Sequence, residues 1–400
     1  MAGPAARKGY EGVAIAVPVT VPYVRYSTRS AMWFLGQAVQ ALVKQSGLAK
    51  SEIDGLTVSS FSLSPDTAVG VTQHLGLSPR WLDHLPNGGA SGVMALRRAA
   101  RAVQAGDANV IACIAADTNH VDSFRLMLGT FSGFARDATY PYGAGGPNAI
   151  FAFITANYMR EFGATREDFG RICVDQRTNA LAGLPGLASP SGSRLFKKPL
   201  LLDEYLNARP IAEPIHLFDC VMPCAGAEAF LVMNEQRACD LGLRYATLRG
   251  AIERHNAFAQ DPIMVRGGWQ VDLPELYAMA GVTPETIDFV QTYDDYPVIV
   301  MMQFEDLGFC GKGEGPAFVR ARRMTFDGDF PNNTSGGQLS GGQAGAAGGF
   351  IGMTEAIRQL TDGAPGHAVK DAQLGLVSGF GMVTYDRCLC TGAVILGRPL

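Results

Sequence analysis

The sequence predicts an α/β protein assembled from two similar halves. Residues 47–60 (GLAKSEIDGLTVSS) and 281–294 (GVTPETIDFVQTYD) share a helix end with Gly, a short acidic segment, an Ile-Asp pair and a β-branched strand. An amphipathic segment that ends in Leu-Gly follows each of them, at 71–77 and at 300–309. The apolar run at 110–115 (VIACIA) is typical of a sheet that is buried on both faces. Repetition of these features in the same order indicates a duplicated α/β unit.

The composition indicates a folded, loop-rich protein. Of 400 residues, 47% are apolar, 18% are charged and 48 are Gly, which suits a large core and excludes a disordered chain. The formal net charge is −4 and no basic run is present, so nucleic-acid binding is not expected. The amino-terminal apolar run is too short for a signal peptide, and no stretch is apolar enough to span a membrane. We therefore expect a cytoplasmic protein without a membrane span.

The eight cysteines form no CxxC pair, which favours reduced thiols. Cys220 and Cys224 have a CxxxC spacing, but no second pair or His completes a tetrahedral zinc site. Cys388 and Cys390 alternate along a predicted strand and are interpreted as core thiols. The sequence therefore predicts no metal site.

The remaining elements follow the same α/β plan. Val93, Leu96 and Val103 stand at helical spacing with small Ala residues between them, which predicts a helix over 92–105. In the second half, residues 350–360 are predicted to form a helix, and LGLVSG and CLCTGAVILG are predicted strands.

The domain organisation follows from the repeat. We expect an amino-terminal half at 1–235 and a carboxy-terminal half at 236–400. The first half contains a Gly/Pro/Ser-rich insertion at about 120–205 around one clear helix at 148–161. Long irregular segments inside compact domains tend to be functional, so this loop domain is expected to bind ligand.

Three segments resemble the thiolase superfamily, and the resemblance covers nearly the whole chain. Residues 140–181 are similar to the thiolase loop-domain segment, 209–232 to the segment that returns to the core, and 332–349 (NNTSGGQLSGGQAGAAGG) to the N-x-S-G-G loop of the second half. The resemblance implies a five-layered αβαβα fold, a homodimer and a coenzyme A surface on the loop domain. Coenzyme A would be part of the substrate, and no separate cofactor is expected.

Within that superfamily the chain is most similar to the sterol-carrier or lipid-transfer thiolase-like proteins. Residues 292–310 (TYDDYPVIVMMQFEDLGFC) resemble their Y-D-x-F motif, with Tyr296 where Phe is usual. Members with this motif include aldolases that cleave steroid side chains as coenzyme A thioesters. These aldolases act with a small zinc-ribbon/OB-fold partner, so we expect such a partner here.

The residues for thiolase acyl transfer are missing. Where the family has C-A-S-G, this chain has Gly89-Ala90-Ser91-Gly92, and Gly cannot attack a thioester. The backbone amides of Gly89 and Ala90 remain candidates for an oxyanion site. Ser91 lacks an adjacent base and is better interpreted as a helix cap.

The other two thiolase positions also differ. Alignment on the predicted substrate-loop residues Asn333 and Ser340 places Gln343 at the position of the catalytic His, where related aldolases have a Tyr. Gln donates hydrogen bonds but cannot exchange protons. The Gly-rich loop that normally carries the second Cys is predicted at 378–383 (SGFGMV), so Gly381 can contribute only its backbone.

Tyr293 is the leading catalytic candidate. It stands where the thiolase-like proteins carry the motif His, and a phenol could accept the proton of a 3-hydroxyacyl-CoA if its pKa were lowered. Asp294 or Asp295 could orient it or act as the base, although Asp294 is also expected to cap the following helix. His216 and His255 adjoin apolar runs and are interpreted as core or edge residues.

These observations favour retro-aldol cleavage of a 3-hydroxyacyl-CoA, with a steroid or another bulky side chain. Two alternatives stay open at this point. The chain could be a non-catalytic thiolase-like scaffold in a multi-subunit acyltransferase, which the missing His and loop Tyr favour. It could also be an acyl-CoA C-acyltransferase or condensing enzyme that forms the bond instead of cleaving it.

Overall fold

The computed structural model describes residues 9–120, 133–143, 146–182, 195–384 and 387–399. The strands in these ranges are β1 (Val13–Val24), β2 (Gly55–Ser59), β3 (Trp81–His84), β4 (Val110–Asp117), β5 (Pro210–Ala212), β6 (Ile215–His216), β7 (Ala225–Asn234), β8 (Tyr245–His255), β9 (Phe289–Gln291), β10 (Leu374–Thr384) and β11 (Arg387–Gly397).

The helices in the same ranges are α1 (Ala31–Ser46), α2 (Ala68–Leu75), α3 (Ser91–Ala105), α4 (Gly133–Ala138), α5 (Gly146–Phe162), α6 (Arg166–Leu181), α7 (Leu202–Leu206), α8 (Glu235–Asp240), α9 (Trp269–Ala280), α10 (Pro297–Asp306), α11 (Gly315–Ala321), α12 (Gly337–Gly341) and α13 (Gly348–Leu360). No helix of the described residues is long and apolar enough to cross a membrane.

Nine strands form one mixed sheet in the order β3-β2-β4-β7-β1-β8-β11-β10-β9. In the first half, β2 is parallel to β3 and β4, and β7 is antiparallel to both β4 and β1. In the second half, β9 is parallel to β10, and β11 is antiparallel to β10 and β8. The two halves join where β1 pairs with β8, for example at Ile15 opposite Ala246.

The strands of the first half and those of the second half form two of five layers, and helices form the other three. α1 and α2 pack on the outer face of the first half, and α9 and α10 pack on the outer face of the second half. α3 and α13 lie between the two halves and contact strands of both. Along β4, alternate residues enter two different cores: Val110, Ala112 and Ile114 face the outer helices, whereas Ile111, Cys113 and Ala115 face the central ones. The predicted αβαβα architecture is confirmed.

The duplicated pattern has a structural basis in matching helix ends. Gly47 ends α1 with φ 73° and Gly281 ends α9 with φ 65°, a backbone conformation that Gly adopts without strain. A single 3₁₀ turn follows each Gly, and then β2 in the first half and β9 in the second. The repeated residues are thus those that stop a helix and start a central strand.

The predicted helices and strands lie close to their expected bounds, with one correction. The predicted loop at 378–383 belongs to β10, where Gly379 pairs with Gly392 and Gly381 with Cys390 of β11. Successive glycines suggested a loop, but they are required here by close packing: a Cβ on Gly379 would lie 2.9 Å from the Cα of Ala90. The boundaries of the two halves and of the loop domain stay a prediction, and parts of that loop domain lie outside the described residues.

Candidate active site

A cavity of about 420 Å³ lies where segments of both halves meet the loop domain. Its wall is mainly apolar and rich in aromatic rings, and among the described residues it contains no His. The aromatic side chains in it are Phe61, Phe151, Phe196, Phe218, Tyr293, Tyr296 and Phe380. Such a cavity suits a bulky apolar ligand with a few polar groups at fixed positions.

Tyr293 occupies the space in which a nucleophilic side chain at position 89 would lie. Gly89 belongs to the 3₁₀ turn that leads into α3, and a Cβ added to it would lie 2.0 Å from both Cε2 and Cζ of Tyr293. The carbonyl oxygen of Phe380 would be only 2.4 Å away. A Cys at position 89 and the ring of Tyr293 therefore exclude each other.

The position of Tyr293 is fixed by its backbone and its ring. Its amide donates to Oε1 of Gln303 at 3.1 Å, and Nε2 of Gln303 donates to the carbonyl of Tyr293 at 2.7 Å. The ring stacks on Phe380, with centroids 6.1 Å apart and planes inclined by 15°. The phenol is buried at the cavity wall. It is therefore held rigidly, as a group that exchanges protons with a substrate must be.

The hydroxyl of Tyr293 ends a chain of side-chain hydrogen bonds. Nε2 of Gln343 approaches the hydroxyl oxygen at 3.4 Å and donates to Oε1 of Gln338 at 2.9 Å. Nε2 of Gln338 in turn donates to Asp294 at 3.3 Å. Burial raises the pKa of Tyr293 well above 10, the charge of Asp295 raises it further, and the Gln side chains lower it only in part. A basic role for Tyr293 depends on a lowered pKa, and the raised pKa favours the neutral phenol instead.

Asp294 does not line the cavity, and its predicted catalytic role stays a prediction. Its carboxylate accepts hydrogen bonds from the amides of Gln338 at 3.0 Å and Leu339 at 3.1 Å, and from Nε2 of Gln176 at 2.8 Å. Burial raises its pKa to about 7. Asp294 therefore anchors the first turn of α12 instead of capping α10, and it acts on the site by positioning the segment that carries Gln343.

Asp295, unlike the adjacent Asp294, lines the cavity. Its Oδ1 atom is buried and has no hydrogen-bond partner among the described residues. Burial and then the charge of Asp294 raise its pKa well above 3.8, and only its own backbone amide and that of Tyr296 lower it. The sequence offered Asp295 only as an alternative base, because two adjacent Asp residues give no indication of which one turns inward.

The predicted oxyanion residues separate into two groups. Gly89 and Gly381 line the cavity, whereas Ala90 does not. The amide of Ala90 donates to the carbonyl of Asn87 at 3.2 Å within the turn, which does not favour Ala90 as an oxyanion donor. A Cβ on Gly381 would lie 1.9 Å from the oxygen of Asn87, which explains why this position is a Gly.

The two predicted substrate-loop residues support the site without lining it. Asn333 is buried with φ 47°, and its Nδ2 donates to Thr292 at 3.2 Å. Ser340 accepts a hydrogen bond from Nε of Arg177 at 3.2 Å. Both residues hold neighbouring segments together, and their assignment to a substrate loop stays a prediction.

Asp117, at the end of β4, was missed by the sequence analysis. It accepts hydrogen bonds from the hydroxyl of Ser60 at 2.8 Å, from the amide of Ser62 at 2.6 Å and from the amide of Ala346 at 2.7 Å. It joins the first half to the loop before α13 at the edge of the cavity. An Asp at the end of a buried strand was the available signal.

The residues interpreted as structural are placed accordingly. The hydroxyl of Ser91 donates to the carbonyl of Leu85 at 3.0 Å and has no adjacent base. Neither His216 nor His255 lines the cavity. Burial raises the pKa of Cys220 to about 12 and that of Cys224 beyond it, so these two cavity-lining thiols are not activated. The described residues contain no cluster that could hold a metal ion.

Comparisons with known proteins agree with this geometry. Residues 250–397 match the family described as Thiolase C-terminal domain-like. The chain is 31% identical over 361 residues to a steroid side-chain-cleaving aldolase of Thermomonospora curvata, covering 86% of this chain and 89% of that protein. It is 30% identical over 353 residues to 17-hydroxy-3-oxo-4-pregnene-20-carboxyl-CoA lyase of Mycobacterium tuberculosis, covering 84% and 88%. Among solved structures, the Ltp2-ChsH2(DUF35) aldolase matches with a TM-score of 0.80 at 27% identity, covering 97% and 98%.

The fold and the site together define a thiolase-type protein in which a Tyr ring has replaced the nucleophile. The chain belongs to the thiolase superfamily, in the family of the steroid side-chain-cleaving aldolase.

Proposed function

We propose that this protein cleaves the Cα–Cβ bond of a 3-hydroxyacyl-CoA by a retro-aldol reaction. The observation that carries the proposal is the mutual exclusion of a side chain at Gly89 and the ring of Tyr293. Covalent acyl transfer needs a nucleophile at that point. A retro-aldol reaction instead needs a base, an acid and a site for an enolate, and the lining of the cavity includes a candidate for each.

The chemistry assigns different tasks to the two titratable groups. Asp295 accepts the proton of the β-hydroxyl group, because an ionised carboxylate with a raised pKa is a stronger base. The Cα–Cβ bond breaks as the β-carbon becomes a carbonyl, and the electron pair moves into the thioester enolate. The neutral phenol of Tyr293 then donates a proton to Cα, which releases a shortened acyl-CoA. General acid–base catalysis of this kind contributes roughly 10²–10⁴-fold.

Gln343 and the backbone around Gly89 are proposed to stabilise the enolate oxygen. The 3.4 Å contact from Gln343 to Tyr293 is long. Little hydrogen-bond energy is therefore lost when this N–H donates to a substrate oxygen instead. Donors that are positioned before the reaction lower the barrier more than donors that must reorganise. Gln338 and Asp294 hold Gln343 in place through the hydrogen bonds described above.

The names of the relatives support the same reaction class. One is a steroid side-chain-cleaving aldolase and another is a carboxyl-CoA lyase. The large aromatic cavity is compatible with a steroid or another bulky acyl group. The same site could run in the condensing direction, because the two directions share one transition state.

A partner protein is proposed as well. The solved aldolase that matches this chain is named after two components, Ltp2 and ChsH2(DUF35), which supports a partner protein, and the family resemblance implies that this partner has an OB-fold and a zinc ribbon. The homodimer, the coenzyme A surface on the loop domain and the cytoplasmic location also stay proposals.

The test is to incubate the purified chain with a panel of 3-hydroxyacyl-CoAs, with and without an OB-fold/zinc-ribbon protein encoded beside it. Mass spectrometry would detect the expected ketone or aldehyde and the shortened acyl-CoA in equal amounts. If no substrate is cleaved with the partner present, while an acyltransferase complex needs this chain to assemble, the scaffold alternative is correct. The absence of any His from the described cavity wall is the observation that favours that alternative.

A further inference from the structure

Arg177, on α6, brings a buried positive charge to the cavity wall. It is only 5% exposed and lines the cavity. Nε donates to the hydroxyl of Ser340 at 3.2 Å, Nη1 approaches the carbonyl of Lys198 at 3.4 Å, and the guanidinium lies over the ring of Phe196 at 3.8 Å. Nη2 donates to no described residue. The guanidinium is therefore held in place with part of its donor capacity unused.

Arg177 forms no ion pair with a carboxylate of the described residues, in contrast to other arginines of the same region, and the charge of Glu204 acts on it only from a longer distance. Arg166 lies 3.0 Å from Asp219, and Arg320 lies 2.6 Å from Asp168. Burial lowers the pKa of Arg177, yet a guanidinium remains charged in proteins. A buried charge without a counterion is costly unless a ligand supplies the counterion.

The two carboxylates of the described cavity wall, Asp117 and Asp295, form no ion pair with Arg177. Asp117 already accepts hydrogen bonds from the loops around it. Arg25 adds a second positive charge to the wall, and its Nη1 donates to the carbonyl of Pro223 at 2.5 Å. The cavity is thus apolar over most of its surface, and on its described wall the three arginines Arg25, Arg177 and Arg209 outnumber the carboxylates Asp117 and Asp295.

We propose that Arg177 forms a subsite for a carboxylate group on the acyl part of the substrate. The inference rests on the proposed function, because it assumes an acyl-CoA ligand. Arg177 is nearly inaccessible to solvent and is tied to Ser340, three residues before Gln343, so it belongs to the reactive end of the cavity. An enolate exists only briefly within the reaction, whereas a carboxylate on the acyl group would neutralise Arg177 for as long as the ligand is bound. A guanidinium with free N–H groups suits a planar carboxylate.

Binding measurements test this subsite without requiring turnover. Isothermal titration calorimetry would compare coenzyme A esters of dicarboxylic acids with those of monocarboxylic acids of equal chain length, such as glutaryl-CoA with pentanoyl-CoA. We expect the wild-type protein to bind at least one dicarboxylic ester about tenfold or more tightly than its match. In Arg177→Gln this preference should disappear, while the affinity for the monocarboxylic ester and for free coenzyme A stays unchanged.

Arg209→Gln is the matched control, because Arg209 also lines the cavity but is exposed. It should keep the preference. Lack of any preference in the wild-type protein would overturn the proposal even if Arg177→Gln does not fold. An equal loss of affinity for free coenzyme A in Arg177→Gln would also overturn it and would assign Arg177 to the phosphates. If these esters bind as expected but no 3-hydroxyacyl-CoA is cleaved, the subsite stands and the proposed reaction fails.

Discussion

The ends of the two equivalent central strands, β2 and β9, differ in how their polar groups are satisfied. After β2, the hydroxyl of Ser60 and the amides of Phe61 and Ser62 donate to Asp117. These groups close a hydrogen-bonded network. After β9, Asp294 is satisfied in a similar way, but the next residue, Asp295, turns toward the cavity with an unpartnered oxygen.

The difference locates the chemistry in the second half. Both strand ends lie beside the cavity and both use buried carboxylates, yet only the end of β9 leaves a titratable group free to act on a ligand. Burial raises the pKa of Asp117, Asp294 and Asp295 alike. The donors around Asp117 and Asp294 hold neighbouring segments in place. Asp295 keeps an oxygen without a partner among the described residues, so it can exchange a proton with a ligand. The second half thus repeats the strand arrangement of the first half, but only its strand end has a carboxylate oxygen without a partner among the described residues.

Asp295→Asn tests this comparison with the largest expected effect. If Asp295 is the base, turnover should fall by about 10³-fold while substrate affinity and the melting temperature hold, because no native hydrogen bond from a described residue to Oδ1 is lost. Steady-state kinetics would measure turnover, and calorimetry would measure substrate affinity and the melting temperature. Turnover within a factor of five of wild type would assign the base to another group.

The pH profile of the wild-type enzyme sharpens the same assignment. Because the pKa of Asp295 is raised, kcat/KM should increase with pH through a value well above 3.8, as the carboxyl ionises. The variant should lack this limb. An acid limb that persists in Asp295→Asn would belong to a different titrating group.

Gly89→Ala tests whether the first half leaves room for Tyr293. The added methyl group would overlap ring carbons at 2.0 Å, so we expect turnover to fall by about 10²-fold and the free energy of unfolding by about 3 kcal/mol. Gly36→Ala is the control, since the nearest atom to its Cβ is 3.8 Å away; that variant should be neutral or slightly more stable. Full activity of Gly89→Ala would show that the two positions do not compete for space.

Asp117→Asn should lower stability more than activity, which is the reverse of the effect expected for Asp295→Asn. The amide cannot accept all the hydrogen bonds that the carboxylate accepts, so the free energy of unfolding should fall by about 3 kcal/mol. The remaining folded protein should keep most of its kcat. Chemical denaturation and kinetics on the same samples would measure this, and a stable variant with no activity would place Asp117 among the reactive groups.

Glu228, on β7, is a second satisfied carboxylate and predicts a smaller, pH-dependent effect. It accepts hydrogen bonds from Thr20, Tyr23 and Thr354, and burial raises its pKa to about 7. Since the folded chain holds this proton more tightly than the unfolded chain, Glu228 lowers stability as pH rises from about 4.5 to 7. Glu228→Gln should remove roughly 2 kcal/mol of that decline. Melting temperatures of both proteins would be measured between these pH values, and an identical change of melting temperature with pH would contradict the prediction.

The sequence predicted the fold better than the site for a physical reason. Helix stops such as Gly47 and Gly281 and the alternating apolar residues of β4 act locally, so their pattern is visible in the chain. The environment of Asp294 and Asp295 depends on α12, which is distant in sequence, and no local pattern distinguishes these residues. The exclusion between Gly89 and Tyr293 likewise arises only when both halves meet.

Tyr293→Phe tests the central claim most directly, because it removes one hydroxyl group and keeps the ring that packs on Phe380. We expect unchanged folding and coenzyme A affinity, a loss of turnover of about 10²-fold or more, and wild-type activity that resists iodoacetamide, since no activated thiol lines the described cavity. Undiminished turnover in Tyr293→Phe, or stoichiometric labelling of one Cys with parallel loss of activity, would contradict the account.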